Sequence, residues 1–204
     1  FINQYDIANI RHLCMIGFTT DVMLSVSPSI KTMYDMEGKT YVPATVDLNN
    51  AKALGMMEPF RLAGIKVKFE ALGVGPMIES LRDGMIDVAH GGIALVGDEK
   101  FEPSAYLNEL FAVKTVYPVT YDVKHLETMK AKTGHTGVIV KFPPKSITST
   151  QDYDVYGMGK STGWMCDVSM PDEIVTAILQ VYYDNIDKFG EVSTGSKILK
   201  KNTM

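Results

Sequence analysis

Cysteine is scarce in this sequence: only Cys14 and Cys166 occur among 204 residues, and neither has a partner at metal-ligand spacing. A disulfide-dense scaffold and a zinc-finger architecture are thereby excluded. The two thiols read as small core residues, with a disulfide between them as the alternative. Long apolar runs are missing, and no segment approaches the roughly 20 residues of a membrane-spanning helix. An excess of positive charge is missing too. Lys and Arg number 20 against 24 Asp and Glu, for a formal charge of -4, and the basic residues are scattered, so no nucleic-acid partner is expected. Repeats and low-complexity tracts are absent. So are the Gly-x-Ser-x-Gly, Walker and zincin motifs, and the four histidines have no Cys, Asp or Glu neighbours at metal-ligand spacing, so neither an enzyme nor a cofactor is indicated. The opening Phe1-Ile2-Asn3-Gln4-Tyr5 lacks a signal-peptide pattern and an initiator Met, which reads as a processed or trimmed product.

What is there is the composition of a globular protein, 46% hydrophobic and 22% charged, with strand-like and helix-like segments in alternation. Residues 22–26 read as a strand ended by Ser27-Pro28-Ser29, and residues 39–42 as another ended by Pro43. Residues 47–63 favour helix, with Pro59 expected to kink or split it near Glu58 and Gly64 to stop it. The stretch 65–69 alternates as a half-buried strand. Met77, Ile78, Leu81 and Met85 share one face of a helix that ends at Asp83-Gly84. A short strand over 86–89 then runs into His90-Gly91-Gly92, where glycines let backbone approach something closely.

Further along, a helix is expected over 104–110, a β-branched strand over 111–119 and an exposed, charged helix over 122–132. Residues 138–140 and 154–164 read as strands separated by a loop. The last strong element is a helix capped by Ser169, with Pro171 and Asp172 in its first turn and Ile174, Ile178, Val181, Tyr182 and Phe189 on one stripe. Beyond Gly190 the tail is polar and reads as loose. This alternation argues for parallel sheets in an α/β protein, whose ligand crevice lies outside the carboxyl ends of the strands. Three loops draw attention there: 43–50, 90–92, and Phe18-Thr19-Thr20-Asp21.

The order of several segments resembles the TAXI group of TRAP-transporter solute receptors. The resemblance is carried by Asn9-Ile10-Arg11-His12-Leu13, by Met36-Glu37-Gly38-Lys39-Thr40-Tyr41-Val42, by Leu62-Ala63-Gly64-Ile65, by the run from Ile78 through Gly84-Met85-Ile86-Asp87 to Ala89, and by Met170-Pro171-Asp172-Glu173-Ile174-Val175. It implies an α/β, two-lobed type-II periplasmic binding-protein fold with parallel-rich sheets. Residues 36–118 would form the second lobe, and 1–35 with 119–204 a first lobe that lacks its N-terminal portion. It also implies an extracytoplasmic location, a small carboxylate or amino-acid-like ligand, TRAP membrane subunits as partners and no covalent chemistry. A homo-oligomer through the incomplete lobe is a further expectation. The rivals are an enzyme on the same fold and an envelope protein without ligand. Where family members carry a Gly/Ser-rich turn, this sequence has Pro43-Ala44-Thr45-Val46-Asp47-Leu48-Asn49-Asn50.

On that resemblance the 45–50 loop enters a helix whose free N–H groups suit a carboxylate, with Thr45, Asn49 and Asn50 adding side-chain hydrogen bonds. Asp47 is assigned to capping, and simple capping by Asp47 or Asn49 is the plain alternative. His90 would donate to a ligand oxygen beside Gly91, the alternative being a satisfied surface histidine. Phe18 would form an apolar wall, with Thr19 and Thr20 as donors. Trp164, near Lys160, is assigned to packing, and Tyr182, Tyr183 and the methionines to core or lobe surface.

Overall fold

The structure, a computed structural model, describes residues 8–97 and 100–199; the opening residues 1–5 discussed above lie outside them. Its organising element is β1 (Ile10–Ser25), a single strand of 16 residues. The strand β2 (Thr40–Val42) is followed by α1 (Ala51–Ala63), β3 (Lys68–Phe69), α2 (Val74–Arg82) and β4 (Val88–Gly97). Then come β5 (Lys100–Pro103), α3 (Ala105–Val113), β6 (Tyr117–Val119), α4 (Val123–Thr133), β7 (Val138–Phe142) and β8 (Val155–Asp167). The chain closes with α5 (Asp172–Asp184), α6 (Ile186–Val192) and a 3-10 turn over Thr194–Ile198.

The eight strands of the described residues join one sheet in the order β3-β2-β4-β1-β8-β7, with β5 on β4 and β6 on β1. The β2 strand runs parallel to β3 and β4, as crossover helices require. The second half of β1 lies antiparallel to β4 and to β6. Its first half pairs antiparallel with β8 as a ribbon, through two register shifts.

Alternation along β1 sends its side chains to two cores. Val22 and Leu24 join Met77, Leu81, Leu107 and Leu110 under α2 and α3. Met23 joins Tyr41, Met56, Phe60, Leu126 and Met129 under α1 and α4. Where β1 and β8 leave the main sheet, Cys14, Tyr182 and Ile186 form a third, smaller core with Trp164 and Phe189. Trp164, Tyr182 and Phe189 meet edge to face there at centroid separations of 5.0–5.9 Å. Cys14 and Cys166 are both buried and free. Segments singled out in the sequence meet at this end. Arg11 pairs with Asp172 at 3.0 Å and donates to the Met170 carbonyl at 2.7 Å, tying β1 to the start of α5.

Several expectations are corrected. Phe18-Thr19-Thr20-Asp21 and His90-Gly91-Gly92 are not loops but lie inside β1 and β4. The helix expected from 47 begins at Ala51, because Asn50 accepts from the Ala53 N–H as its cap, and it runs unbroken past Pro59. The strand expected over 65–69 shrinks to Lys68–Phe69. The segment 111–119 is helical to Val113, since Leu107 and Leu110 bury the face of α3, and only Tyr117–Val119 is strand. The charged α4 is not exposed all round, for Leu126 and Met129 are buried. Ser169 does not cap α5; its hydroxyl donates to Asp167, and the helix breaks at Asn185. The tail after Gly190 packs, with the Ser196 hydroxyl donating to the Ile16 carbonyl. Leu126 and Met129 of α4 share a core with Met56 and Phe60 of α1.

Gly157 shows how closely β8 approaches β1. A Cβ at this position would lie 2.5 Å from the Asp21 carbonyl oxygen and 2.9 Å from Thr20 Cγ2, and neither backbone atom nor buried side chain can yield. Gly157→Ala is therefore expected to destabilise by about 1–3 kcal/mol in urea unfolding. Gly75→Ala, with nothing within 4 Å of the added methyl, serves as control and leaves stability unchanged or slightly raised.

Candidate functional site

Asp21 is an acid in the interior of a strand, flanked by Thr20 and Val22 and 8% exposed. A carboxylate so placed needs compensation. On the β8 side, Lys160 Nζ donates directly to Asp21 Oδ2. On the β4 side, His90 Nε2 lies 3.6 Å from Asp21 Oδ1. His90 is held uncharged: burial, with the nearby Lys52 and Lys160 charges acting in the same direction against Asp21, lowers its pKa to about 4. Its Nδ1 is buried without a hydrogen-bond partner among the described residues.

Beside this cluster lies a cavity of about 420 Å3 between the first two turns of α1, β1, β8 and α4. Asp21, Lys52, Lys160 and His135 supply its ionisable lining; Gly55, Met56, Leu126, Met158 and Tyr121 supply the rest. Lys52 is half-buried, and among the described residues it makes no ion pair or hydrogen bond. Burial lowers its pKa, Asp21 opposes this and Lys160 adds to it. His135 Nδ1 accepts from the Gly137 N–H at 3.0 Å, which in the neutral ring leaves Nε2 as a donor. Burial lowers the His135 pKa as well. The Tyr121 hydroxyl is 3.5 Å from that of Tyr41, and burial raises both pKa values, so both are neutral phenols. The balance is one acid, two lysines and two neutral imidazoles, a surplus of one positive charge.

The eight residues proposed from sequence are not gathered in this cavity. His90 sits behind Asp21, facing the cluster. Thr20, fully buried with a hydroxyl that has no partner among the described residues, shares the α2/α3 face of β1 with Val22. Phe18 packs over Gly159. Thr19 is paired in register with Lys160 and Ala94. Asn50 Nδ2 donates to Thr45 Oγ1, and Thr45 Oγ1 donates to the Asp47 carbonyl, so both side chains are used in building the loop. Asn49 is exposed. Gly91 admits the Leu24 and Val22 side chains, which a Cβ would meet at 2.6 and 3.2 Å. Lys52, His135 and Tyr121 had no role in the sequence reading. The available signal was Asp21 itself, a charge within an otherwise strand-forming run.

Among the described residues no group of three His, Cys, Asp or Glu could hold a metal ion. Comparison with known proteins then places the chain. The family model described as NMT1-like family matches residues 1–203. The chain belongs to the NMT1-like family. No curated protein matches this NMT1-like chain. Among solved structures it is similar to one from a study of glutathione import via GshT and the cystine ABC importer TcyBC of Streptococcus mutans. That likeness has 13% identity and a TM-score of 0.50, and covers 97% of this chain and 68% of that one. A putative L-cystine ABC transporter from Listeria monocytogenes gives 12% identity, coverage of 95% and 66%, and a TM-score of 0.48. The arginine-, lysine-, histidine-binding protein ArtJ from Geobacillus stearothermophilus gives 14%, 91% and 61%, and 0.43. The NMT1-like chain thus spans between 61% and 68% of the length of these three structures. At such identities the likeness speaks of fold: a mixed α/β, two-lobed type-II periplasmic binding-protein architecture. The TAXI resemblance agrees at the level of fold, while the matching family is the NMT1-like one.

The neutral His90 gives a pH dependence with a definite sign. Its folded pKa, about 4, lies below its ordinary value of 6.5, so the unfolded chain takes up the proton first. Stability is unaffected above pH 7, falls as the pH drops below about 6.5, and by pH 4 has lost up to roughly 3 kcal/mol from this residue. Urea midpoints measured from pH 7.5 to 4.5 are expected to show that fall, and His90→Gln to reduce it.

Proposed function

We propose that this chain is the ligand-binding part of an extracytoplasmic solute receptor, which captures a small organic ligand of carboxylate or amino-acid-like class and delivers it to a membrane transporter without covalent chemistry. The observation that carries this reading is the cavity lined by Lys52 of α1, which is half-buried and, among the described residues, without an ion pair. Holding a half-buried ammonium without an ion pair of its own costs stability, and a ligand anion turns that cost into affinity. A cavity of about 420 Å3 also falls within the range of small-molecule sites, about 300–1,000 Å3.

The mechanism is capture by closure. A ligand held by one lobe gains further contacts only when the other closes on it, and that difference in affinity shifts the population to the closed form. Residues 36–118 as one lobe, with the flanking segments as the other, belong to the same proposal. The membrane partner is proposed to be a TRAP-type permease, as the TAXI resemblance implies. The Streptococcus mutans study names an ABC importer, so uptake into proteoliposomes decides: dependence on an ion gradient supports the first, dependence on ATP the second.

Binding is tested by calorimetry and thermal shift with small carboxylates and amino acids. The receptor reading expects saturable binding of at least one class, raising Tm with dose. Lys52→Met is expected to abolish it while raising the stability of the ligand-free chain by about 0.5–2 kcal/mol. Absence of binding across the panel contradicts the reading.

A further inference from the structure

The charges around the cavity distinguish among acids. Two lysines line it, yet Lys160 is already committed to Asp21 Oδ2. Only Lys52 remains free to meet a ligand charge, so a single carboxylate is matched and a second would be buried unpaired. An amino acid brings an ammonium as well, which needs an anion. The one acid in the lining is Asp21, and its second oxygen faces His90 Nε2 at 3.6 Å. The charge of Asp21 is already answered by Lys160, and Lys52 and Lys160 both repel an ammonium.

The remaining walls are made for an apolar body. Met56, Met158 and Leu126 line the cavity, and the Tyr121 hydroxyl is turned to Tyr41. Methionine and leucine side chains adapt to a flexible aliphatic group and offer it no hydrogen bonds. Gly55 keeps the space open at the polar end. A Cβ there would meet Cδ2 and Nε2 of His135 at 3.4 Å, in ordinary contact, so a β-branched or larger side chain would crowd the imidazole whose Nε2 is the second donor for a carboxylate oxygen.

We infer that the ligand is an apolar monocarboxylate, held at its carboxylate by Lys52 and His135 and along its aliphatic body by Met56, Met158 and Leu126. The inference rests on the receptor reading and selects among the ligands that reading allows. It sets the chain apart from receptors that take zwitterionic amino acids or dicarboxylates, because the acid that would receive an ammonium is internally neutralised.

Calorimetry on the full chain with four probes tests it: 4-methylpentanoate, its uncharged amide, leucine, which adds an ammonium to the same body, and glutarate, which adds a second carboxylate. The expected result is that 4-methylpentanoate binds at least tenfold more tightly than each of the other three. Lys52→Met, checked for folding by circular dichroism, is expected to erase the preference for acid over amide. Gly55→Val is expected to weaken 4-methylpentanoate at least tenfold with the fold retained. Tighter binding of leucine or glutarate overturns the inference and leaves the receptor reading standing. An acid preference that survives Lys52→Met overturns the site. No binding by any probe or by the wider panel above overturns both.

Discussion

The ion pair between Asp21 and Lys160 is the constraint on which the rest of the structure turns. Asp21 stands in the middle of β1, beneath α1 and α4, where a carboxylate is tolerated only with a cation in contact. Lys160 can supply that cation because β8 runs beside β1 in the register that pairs Lys160 with Thr19 and Met158 with Asp21. The close approach of the strands depends in turn on Gly157, which has no side chain to hold them apart. Burial keeps His90 on β4 an uncharged imidazole, and with Asp21 answered from β8, Lys52 on α1 is the cavity-lining cation left without an ion pair among the described residues. The proposed ligand chemistry follows from that arithmetic rather than from any single residue.

The same strand links this chemistry to the architecture. Its second half is central to the main sheet, between β4 and β6, and contributes to both large cores. Its first half leaves with β8 to carry the small aromatic core of α5 and α6. Asp21 lies close to the point where the two halves meet. A ligand drawn to this place touches β1 and β8 on one side and the first two turns of α1 with α4 on the other, and so lies among elements whose relative position a binding protein must control.

Much of the fold was legible because periodicity reports burial. Met77 and Leu81 on α2 were readable from apolar spacing, and the strand β2 from the Pro43 that ends it. The errors cluster where polar residues or glycines stand in strands. Thr19-Thr20-Asp21 looks like a loop by composition, yet it is strand because neighbours on both sides complete its backbone hydrogen bonds and Lys160 answers its charge. His90-Gly91-Gly92 looks like a break, whereas Gly91 makes room for Leu24 and Val22 across the sheet. The site was less legible still. Lys52 and His135 are far apart in sequence and come together only because α4 packs on α1, and no local motif encodes such a meeting. Thr45 and Asn50, which a helix N-terminus made attractive, spend their side chains on each other.

The central claim is that Lys52 is the cation left free for a ligand anion, and its chemical reactivity reports on this directly. Amine acetylation of the full chain, followed at each lysine by mass spectrometry, compares Lys52 with the exposed Lys114 in the absence and presence of saturating 4-methylpentanoate. The account predicts that labelling of Lys52 slows several-fold when ligand is added while that of Lys114 is unchanged. An unchanged labelling rate at Lys52 under saturating ligand contradicts it.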